Sequence, residues 1–305
     1  MVDVRTWPQE LRAQLERRLR VDSLFWRKLA WAGVEYFPEA WLRHSPPAFG
    51  VAFWAAIAPL RQKVRRNLRR LHGPRPAPVE LAESAAVVAN FASCLTEAIL
   101  VGTDRGYRAS VISANDGLDF KTSQAEGKGV ILATAHTAGW DVAGPMLTDL
   151  QPAEVIVVMA PEEEAQARAM QDEARHKAGV RVVHAGDDPL AALPLLRHLR
   201  RDKGIVAMKF DRTRPGMRTR QARFLGRPWR VPEGLFTLAA VSGAPVMPVF
   251  TRRLGFLRYE FITAPPFHVS RRPDDAELDA AAQRLADLLE AFARDNSSQW
   301  FNWMA

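Results

Sequence analysis

The chain has 305 residues, 48% hydrophobic and 25% charged, which is enough for one large α/β domain or two ordinary ones. A net charge of +8 favours anionic partners such as nucleic acid, anionic lipid headgroups or an acidic carrier protein. A single cysteine, Cys94, excludes a disulfide framework and a cysteine-based zinc site, and we expect it to be a small buried hydrophobe. The first residues contain no apolar signal-peptide segment.

The N-terminal third of the chain is rich in aromatic and basic residues and predicts helices. Residues 45–60 are uncharged, and six of the ten residues at 61–70 are basic. A membrane span needs about 20 apolar residues, so this run is too short for a simple span. Aromatic side chains beside a basic cluster are typical of an interfacial membrane anchor, although a buried helix with a solvated basic neighbour has the same composition.

Beyond residue 128, short apolar runs alternate with helical patterns. The runs predict strands at about 129–135, 154–159, 180–183, 204–210, 245–250 and 257–262. This alternation predicts an α/β fold with a mixed, mostly parallel sheet covered by helices on both faces. We therefore assign residues 1–103 to an N-terminal helical cap and membrane anchor, and residues 104–305 to the α/β domain. The arginine-rich stretch 211–230 predicts a long loop.

The most informative segment is residues 135–141, which read Ala-His-Thr-Ala-Gly-Trp-Asp. His136 follows a predicted strand, at the edge of the sheet where α/β proteins place their sites, and its ordinary pKa suits a general base. Asp141 lies five residues later and could accept a hydrogen bond from the imidazole if Gly139 allows a tight turn. A histidine with a purely structural role has the same spacing.

This segment resembles the catalytic block of the lysophospholipid acyltransferase superfamily and, more closely, that of the bacterial lipid A late-acyltransferase branch. Further matching blocks follow in the same order over about residues 120–305: Arg175, Asp211 with Arg212, Gly226 within Phe-Leu-Gly-Arg-Pro, Glu233 with Gly234, Gly-Ala-Pro-Val-Met-Pro-Val at 243–249, and Gln-Trp-Phe-Asn-Trp at 299–303. Asp141 stands where lipid A enzymes usually have Glu, and Arg212 where they have Gln. Both departures point to a relative that acts on another acceptor.

The resemblance implies an O-acyltransferase that moves a fatty acyl chain from acyl carrier protein or coenzyme A to a hydroxyl of a lipid A-like glycolipid or another membrane lipid. His136 is then the base, paired with Asp141, and no metal or cofactor is required. The implied substrate-binding residues are Arg175, Asp211, Arg212, Gly226, Glu233 and Gly234. Asp211 ends a predicted strand and could orient a site residue or the acceptor hydroxyl. The implied location is the cytoplasmic face of the bacterial inner membrane, with peripheral or monotopic attachment.

Other classes of protein fit the sequence less well. The chain contains no helix-turn-helix, zinc-finger or RNA-recognition signature, no Gly-x-Ser-x-Gly elbow and no Walker A loop. We therefore expect no nucleic-acid partner. The remaining alternative is a basic membrane-associated or nucleic-acid-binding protein without catalysis, which predicts that replacing His136 by alanine leaves function intact.

Overall fold

The computed structural model describes residues 24–113, 117–142, 154–159, 173, 180–184 and 192–302. Its N-terminal helices are α1 (Leu24–Tyr36), α2 (Glu39–Ala56), α3 (Ala58–His72) and α4 (Ala77–Val101). The predicted helical character of this region is therefore confirmed for the described residues. Helices α3 and α4 each have a proline in the first turn. An amide proton at that position would form no hydrogen bond within the helix, so its absence costs nothing.

In the described part of the chain, seven strands form one sheet. They are β1 (Ser110–Ser113), β2 (Val130–Thr134), β3 (Val155–Met159), β4 (Val180–His184), β5 (Ile205–Lys209), β8 (Val246–Gly255) and β9 (Arg258–Thr263), in the order β1-β9-β8-β2-β5-β3-β4. Strands β8, β2, β5, β3 and β4 pair in parallel, whereas β9 is antiparallel to β8. The mixed, mostly parallel sheet predicted from the apolar runs is confirmed.

Helices connect and cover the strands. They are α5 (Leu118–Ala125), α6 (Ala192–Arg200), α7 (Gly234–Ser242) and α8 (Asp275–Asp295). The carboxylate of Asp274 caps α8 by accepting a hydrogen bond from the Glu277 amide at 2.8 Å. The helix that the sequence predicts after residue 161 lies outside the described residues.

The stretch predicted to be a loop at 211–230 contains a hairpin, so that prediction was wrong in part. Strands β6 (Thr219–Phe224) and β7 (Arg227–Pro232) pair antiparallel around a two-residue turn. Leu225 and Gly226 both have positive φ, of 52° and 71°, as a type I′ hairpin turn requires. The arginines on the outer face of the hairpin interrupt the apolar residues of its inner face, so the sequence shows no continuous apolar run there.

The N-terminal helices share their core with the sheet. Val64 of α3 and Val88 of α4 belong to the same cluster of buried residues as Ile131 of β2 and Val206 of β5. Cys94 is also buried there, as expected, and burial raises its pKa to about 12. The cap therefore packs directly on the α/β part, and the assignment of two separate domains stays a prediction.

Helix α4 is consistent with a membrane-associating segment. By length and composition it could cross a membrane, although 39% of its most apolar window is buried within the protein. It also packs closely against α2. Within α2, Phe49 and Val51 are exposed, whereas the indole of Trp54 donates a hydrogen bond to Ser84 of α4. Some side chains of the predicted anchor are therefore exposed, and others pack between α2 and α4.

Candidate active site

Two adjacent parallel strands bring the central residues together. Strands β2 and β5 pair over their whole length, and their last residues, Thr134 and Lys209, are register partners. His136 lies two residues beyond β2 and Asp211 two residues beyond β5, so both stand at the carboxyl edge of the sheet. His136 Nδ1 lies 2.6 Å from Asp211 Oδ1, and the His136 amide donates to Asp211 Oδ2 at 3.1 Å.

The protonation of this pair follows from its environment. The Asp211 side chain is fully buried, which by itself disfavours its charge, but the nearby imidazole lowers its pKa to about 2. Burial lowers the pKa of His136 despite the opposing effect of Asp211. At neutral pH we therefore assign an ionised Asp211 and a neutral His136 whose Nδ1–H donates to the carboxylate. Nε2 then carries a lone pair and has no hydrogen-bond partner among the described residues.

Residues 300–302, which we call the C-terminal tail, hold Asp211 and the backbone of His136 in place. The indole of Trp300 donates to Asp211 Oδ2 at 3.2 Å, and the Asn302 amide side chain donates to the Asp211 carbonyl at 2.9 Å. The Phe301 amide donates to the His136 carbonyl at 2.7 Å. Residues separated by more than 160 positions thus form one hydrogen-bonded unit, which restricts the imidazole to one orientation.

The turn after His136 requires glycine at position 139. Gly139 has a φ of 81°, and a Cβ there would stand 2.2 Å from the ring of Tyr259. Thr137, in the same turn, is also held in place. Its Oγ1 lies 2.9 Å from Thr251 Oγ1 of β8 and accepts a hydrogen bond from the Thr251 amide. The expectation that Gly139 permits a tight turn is therefore met by both its backbone angle and its packing.

Behind this turn lies a buried ionic cluster around Glu97 of α4. Its carboxylate accepts hydrogen bonds from the Arg253 guanidinium at 2.8 Å and the Leu257 amide at 2.9 Å, and from the Tyr259 hydroxyl at 2.5 Å. Because Tyr259 also packs on Gly139, helix α4 supports the turn that carries His136. The cluster is saturated with hydrogen bonds, which makes it structural.

The other residues expected from the sequence occupy different surroundings. Asp141 is exposed at the start of the helical turn that begins at Trp140, and Nδ1 of His136 is bonded to Asp211. The guanidinium of Arg212 donates to the Phe301 carbonyl at 2.7 Å and to Asn302 Oδ1 at 3.3 Å. It therefore fastens the tail, and a contact with substrate stays a prediction.

Three further expected residues lie in the hairpin or directly after it. Gly226 forms its turn, Glu233 pairs with Arg220 at 2.8 Å, and Gly234 is an exposed residue at the start of α7. None of the three has a hydrogen bond to His136 or Asp211 in the described structure, so their substrate-binding roles stay predictions. Arg175 lies outside the described residues.

Sequence reasoning missed the direct contact between Trp300 and Asp211. The Gln-Trp-Phe-Asn-Trp block at 299–303 matches the family pattern, but the pattern does not indicate which residue the indole of Trp300 contacts. A tryptophan near a chain end gives no local signal of a contact with a residue 89 positions away. Within the described residues, no group of three or more histidine, cysteine or acidic side chains is placed to hold a metal ion.

A neutral histidine backed by a buried carboxylate, at the carboxyl edge of a parallel sheet, is an arrangement that is chemically able to accept a proton from a hydroxyl. The family model for bacterial lipid A biosynthesis acyltransferases matches residues 14–304, and the chain belongs to that family. Membership supports an enzyme that transfers an acyl group to a lipid.

Curated relatives come from mycobacteria. The phosphatidylinositol mannoside acyltransferase of Mycolicibacterium smegmatis is 28% identical over 224 residues, which cover 72% of this chain and 71% of the relative. The protein of the same name from Mycobacterium tuberculosis is 26% identical over 286 residues, covering 90% of this chain and 86% of the relative.

Proposed function

We propose that this protein transfers a fatty acyl chain from a thioester to a hydroxyl of a glycolipid, with His136 as the general base. The observation that carries the proposal is the 2.6 Å contact between His136 Nδ1 and the buried Asp211, which leaves Nε2 to accept a proton. Asp211 holds the tautomer and stabilises the imidazolium, the role that a buried carboxylate performs for a catalytic histidine.

The reaction balances without a covalent enzyme intermediate. Nε2 of His136 takes the hydroxyl proton while the oxygen bonds to the thioester carbonyl carbon, and the carbonyl electron pair moves to its oxygen. The tetrahedral adduct then expels the thiolate as the C–S bond breaks, and the imidazolium returns a proton to sulfur. The products are an ester and a free thiol. Asp141, on the same turn, contributes to orienting His136 or the acceptor.

A mannosylated phosphoinositide is the acceptor class that we propose first. Both mycobacterial relatives are named for acyl transfer to phosphatidylinositol mannoside, whereas the family description names lipid A biosynthesis. Asp141 and Arg212 also depart from the pattern usual in lipid A enzymes. Arg175, Asp211, Arg212, Gly226, Glu233 and Gly234 are the proposed substrate-binding residues, and the arginine-rich hairpin supplies positive charge for phosphate groups.

The donor and the location follow from charge and apolar surface. The net charge of +8 suits coenzyme A phosphates and an acidic acyl carrier protein alike. The exposed apolar residues of α2 and the apolar helix α4 support attachment to a lipid surface, which we place at the cytoplasmic face of the bacterial inner membrane.

The test is acyl transfer by the purified full-length protein on vesicles. Acceptor arms contain phosphatidylinositol mannoside, phosphatidylinositol without mannose, or a lipid A precursor, and donor arms contain palmitoyl-coenzyme A or palmitoyl carrier protein. Mass spectrometry should find one added acyl group on the mannosylated lipid. His136→Ala should lower that rate by about 100- to 10,000-fold, the range for loss of a general base.

His268→Ala is the matched control because His268 is exposed and pairs only with Glu126 among the described residues. Its rate should equal that of the wild type. If only the lipid A precursor were acylated, that precursor would replace phosphatidylinositol mannoside as the proposed acceptor. Unchanged acylation in His136→Ala, or no acylation in any arm, would favour the non-catalytic alternative.

A further inference from the structure

A short series of hydrogen bonds joins helix α3 to the His136–Asp211 pair. Asn67 of α3 donates from its side-chain amide to the carbonyl of Asn302 at 2.8 Å, across 235 positions of sequence. The side chain of Asn302 in turn donates to the carbonyl of Asp211 at 2.9 Å. Asp211 Oδ1 lies 2.6 Å from Nδ1 of His136. Helix α3 is therefore connected to the imidazole by direct contacts.

Asn302 is the residue at which these contacts meet. Its carbonyl accepts the hydrogen bond from Asn67, and its Nδ2 donates to the carbonyl of Asp211. Its Oδ1 accepts from the Arg212 guanidinium at 3.3 Å. The position of the backbone decides where the side chain of Asn302 begins. The bond from Asn67 to that backbone therefore stabilises the position from which Nδ2 contacts Asp211.

The residue next to Asn302 holds the histidine itself. The amide of Phe301 donates to the carbonyl of His136 at 2.7 Å. The ring of Phe301 meets the ring of Phe91 of α4 edge-on, with centroids 5.4 Å apart. Adjacent residues of the C-terminal tail thus contact both members of the pair, so a shift of Asn302 would disturb the carboxylate and the histidine together.

Asn67 extends from a helix whose position is fixed by packing. Its neighbours Val64 and Leu68 are buried in the core that α3 shares with the sheet. Lys63 and Arg70, four positions before Asn67 and three after it, are exposed, whereas Asn67 is half-buried. Side chains at these spacings lie on one face of a helix. Asn67 therefore stands between the buried and the charged sides of α3, on a rigid element of the kind that positions site residues precisely.

A second asparagine of the N-terminal helices provides a comparison. Asn90 of α4 donates to the carbonyl of Ser298 at 3.2 Å and to its hydroxyl at 3.1 Å. Asn67 and Asn90 thus fasten nearby positions of the C-terminal segment by the same kind of bond. Ser298 has no hydrogen bond to His136 or Asp211 in the described part of the chain, whereas Asn302 bonds directly to Asp211. The two asparagines therefore separate holding the chain from holding the pair.

We propose that Asn67 is a positioning residue of the acyl-transfer site, which acts through Asn302 to keep the carboxylate of Asp211 against Nδ1 of His136. Its effect on the rate rests on the proposed function. Asn67 contacts no reacting atom. It restricts the movement of the tail, so that the carboxylate is already in place when the imidazole gains the proton. A displacement of about 1 Å in such an arrangement can lower a rate by about 100-fold.

The first experiment records the His136 ring by ¹⁵N NMR in full-length protein at neutral pH, with the resonances assigned by their loss in His136→Gln. Asn67→Ala should lower the preference for the Nδ1–H tautomer, because Asp211 is held less firmly. Asn67→Asp, which keeps the shape but cannot donate, should do the same. Asn90→Ala is the matched control and should keep the wild-type spectrum. A wild-type spectrum in both Asn67 variants, or equal changes in Asn67→Ala and Asn90→Ala, would overturn the proposal, even if no acyl transfer is detected in the wild type.

The second experiment measures acyl transfer with the donor and acceptor found for the wild type. Asn67→Ala should lower kcat by about 10- to 100-fold with little change in KM, and Asn90→Ala should leave kcat near the wild-type value. Asn302→Ala removes the bond to Asp211 but keeps the carbonyl that accepts from Asn67. In that background, Asn67→Ala should lower kcat by less than about twofold further, because the two residues act in series. An effect on KM alone, or full multiplication of the two losses, would overturn the route through Asn302.

Discussion

Two of the buried carboxylates in the described part of the chain differ in their partners: Asp211 in the site and Glu80 between helices α3 and α4. Both have a pKa lowered to about 2, in Glu80 by hydrogen bonds from Arg69 and Arg65 and in Asp211 by His136 against the cost of burial. The partners of Glu80 are permanently charged arginines at 2.7 Å. Neither arginine can accept a proton at neutral pH, whereas His136 can.

A carboxylate with a lowered pKa therefore does not by itself define a site. Glu80 forms ion pairs with two of the six basic residues in the segment 61–70 and fixes α3 on α4. That segment was expected to serve a membrane surface, and part of its charge is instead used internally. Lys63, Arg66 and Arg70 remain exposed on α3 and carry the lipid-facing charge that we propose.

The largest difference between the two carboxylates should appear in activity. Asp211→Asn keeps the shape of the side chain but removes the charge that stabilises the imidazolium, so kcat should fall by about 100- to 10,000-fold. Asp141→Asn is the matched variant, measured in the same acyl-transfer assay. A larger loss in Asp141→Asn would transfer the pairing role to Asp141, as the His-x4-Asp spacing suggested.

The turn between β2 and Trp140 should be nearly as sensitive to substitution. Gly139→Ala places a methyl group 2.2 Å from the Tyr259 ring and strains a backbone with φ of 81°. We expect the free energy of unfolding to fall by more than about 1 kcal/mol, together with a large loss of kcat. Thermal unfolding measures the loss of stability, and the acyl-transfer assay measures the loss of kcat.

Gly216→Ala is the control for backbone strain alone, because Gly216 has the same φ of 81° and no heavy atom within 4 Å of a Cβ. It should lower stability slightly and leave kcat near the wild-type value. Equal effects of the two alanines would show that packing against Tyr259 is unimportant.

The pH dependence of the rate should reflect His136. Its pKa lies below the ordinary value of 6.5, chiefly because of burial, so the neutral base persists as the pH falls through that value. The acid limb of kcat/KM, where His136 gains a proton, should therefore be centred below pH 6.5. An acid limb centred above 6.5 would contradict this assignment.

Glu80→Gln should have the smallest effect on activity. It leaves the Arg65 and Arg69 guanidinium groups without their carboxylate, so the melting temperature should fall while kcat per folded molecule stays unchanged. The stability that the Glu80 charge contributes is present above its ordinary pKa of 4.5 and is lost as the pH falls towards 2. Glu83→Gln, which removes a more exposed ion pair with Arg75, is the control.

The central strands of the sheet could be predicted because they are largely buried on both faces. The five residues of β2 are all buried, so they form the continuous apolar run that the sequence shows. The hairpin was missed because its apolar positions Ala222, Phe224, Trp229 and Val231 alternate with arginines and prolines. Its buried face packs Phe224 against Trp300, a contact that has no local sequence signal.

The histidine of the site could be found from sequence, but its carboxylate partner could not be decided. Asp141 and Asp211 were both candidates, five and 75 residues from His136. The pairing depends on β5 lying next to β2, and strand order is set by long-range packing. Only the three-dimensional arrangement places Asp211 on Nδ1.

The central claim is that Asp211 holds His136 as a neutral base with its proton on Nδ1. ¹⁵N NMR of the His136 ring at neutral pH, in full-length protein, tests this most directly. We predict the Nδ1–H tautomer in the wild type and the loss of that preference in Asp211→Asn. A ring protonated on Nε2 alone, or an imidazolium at neutral pH, would contradict the account.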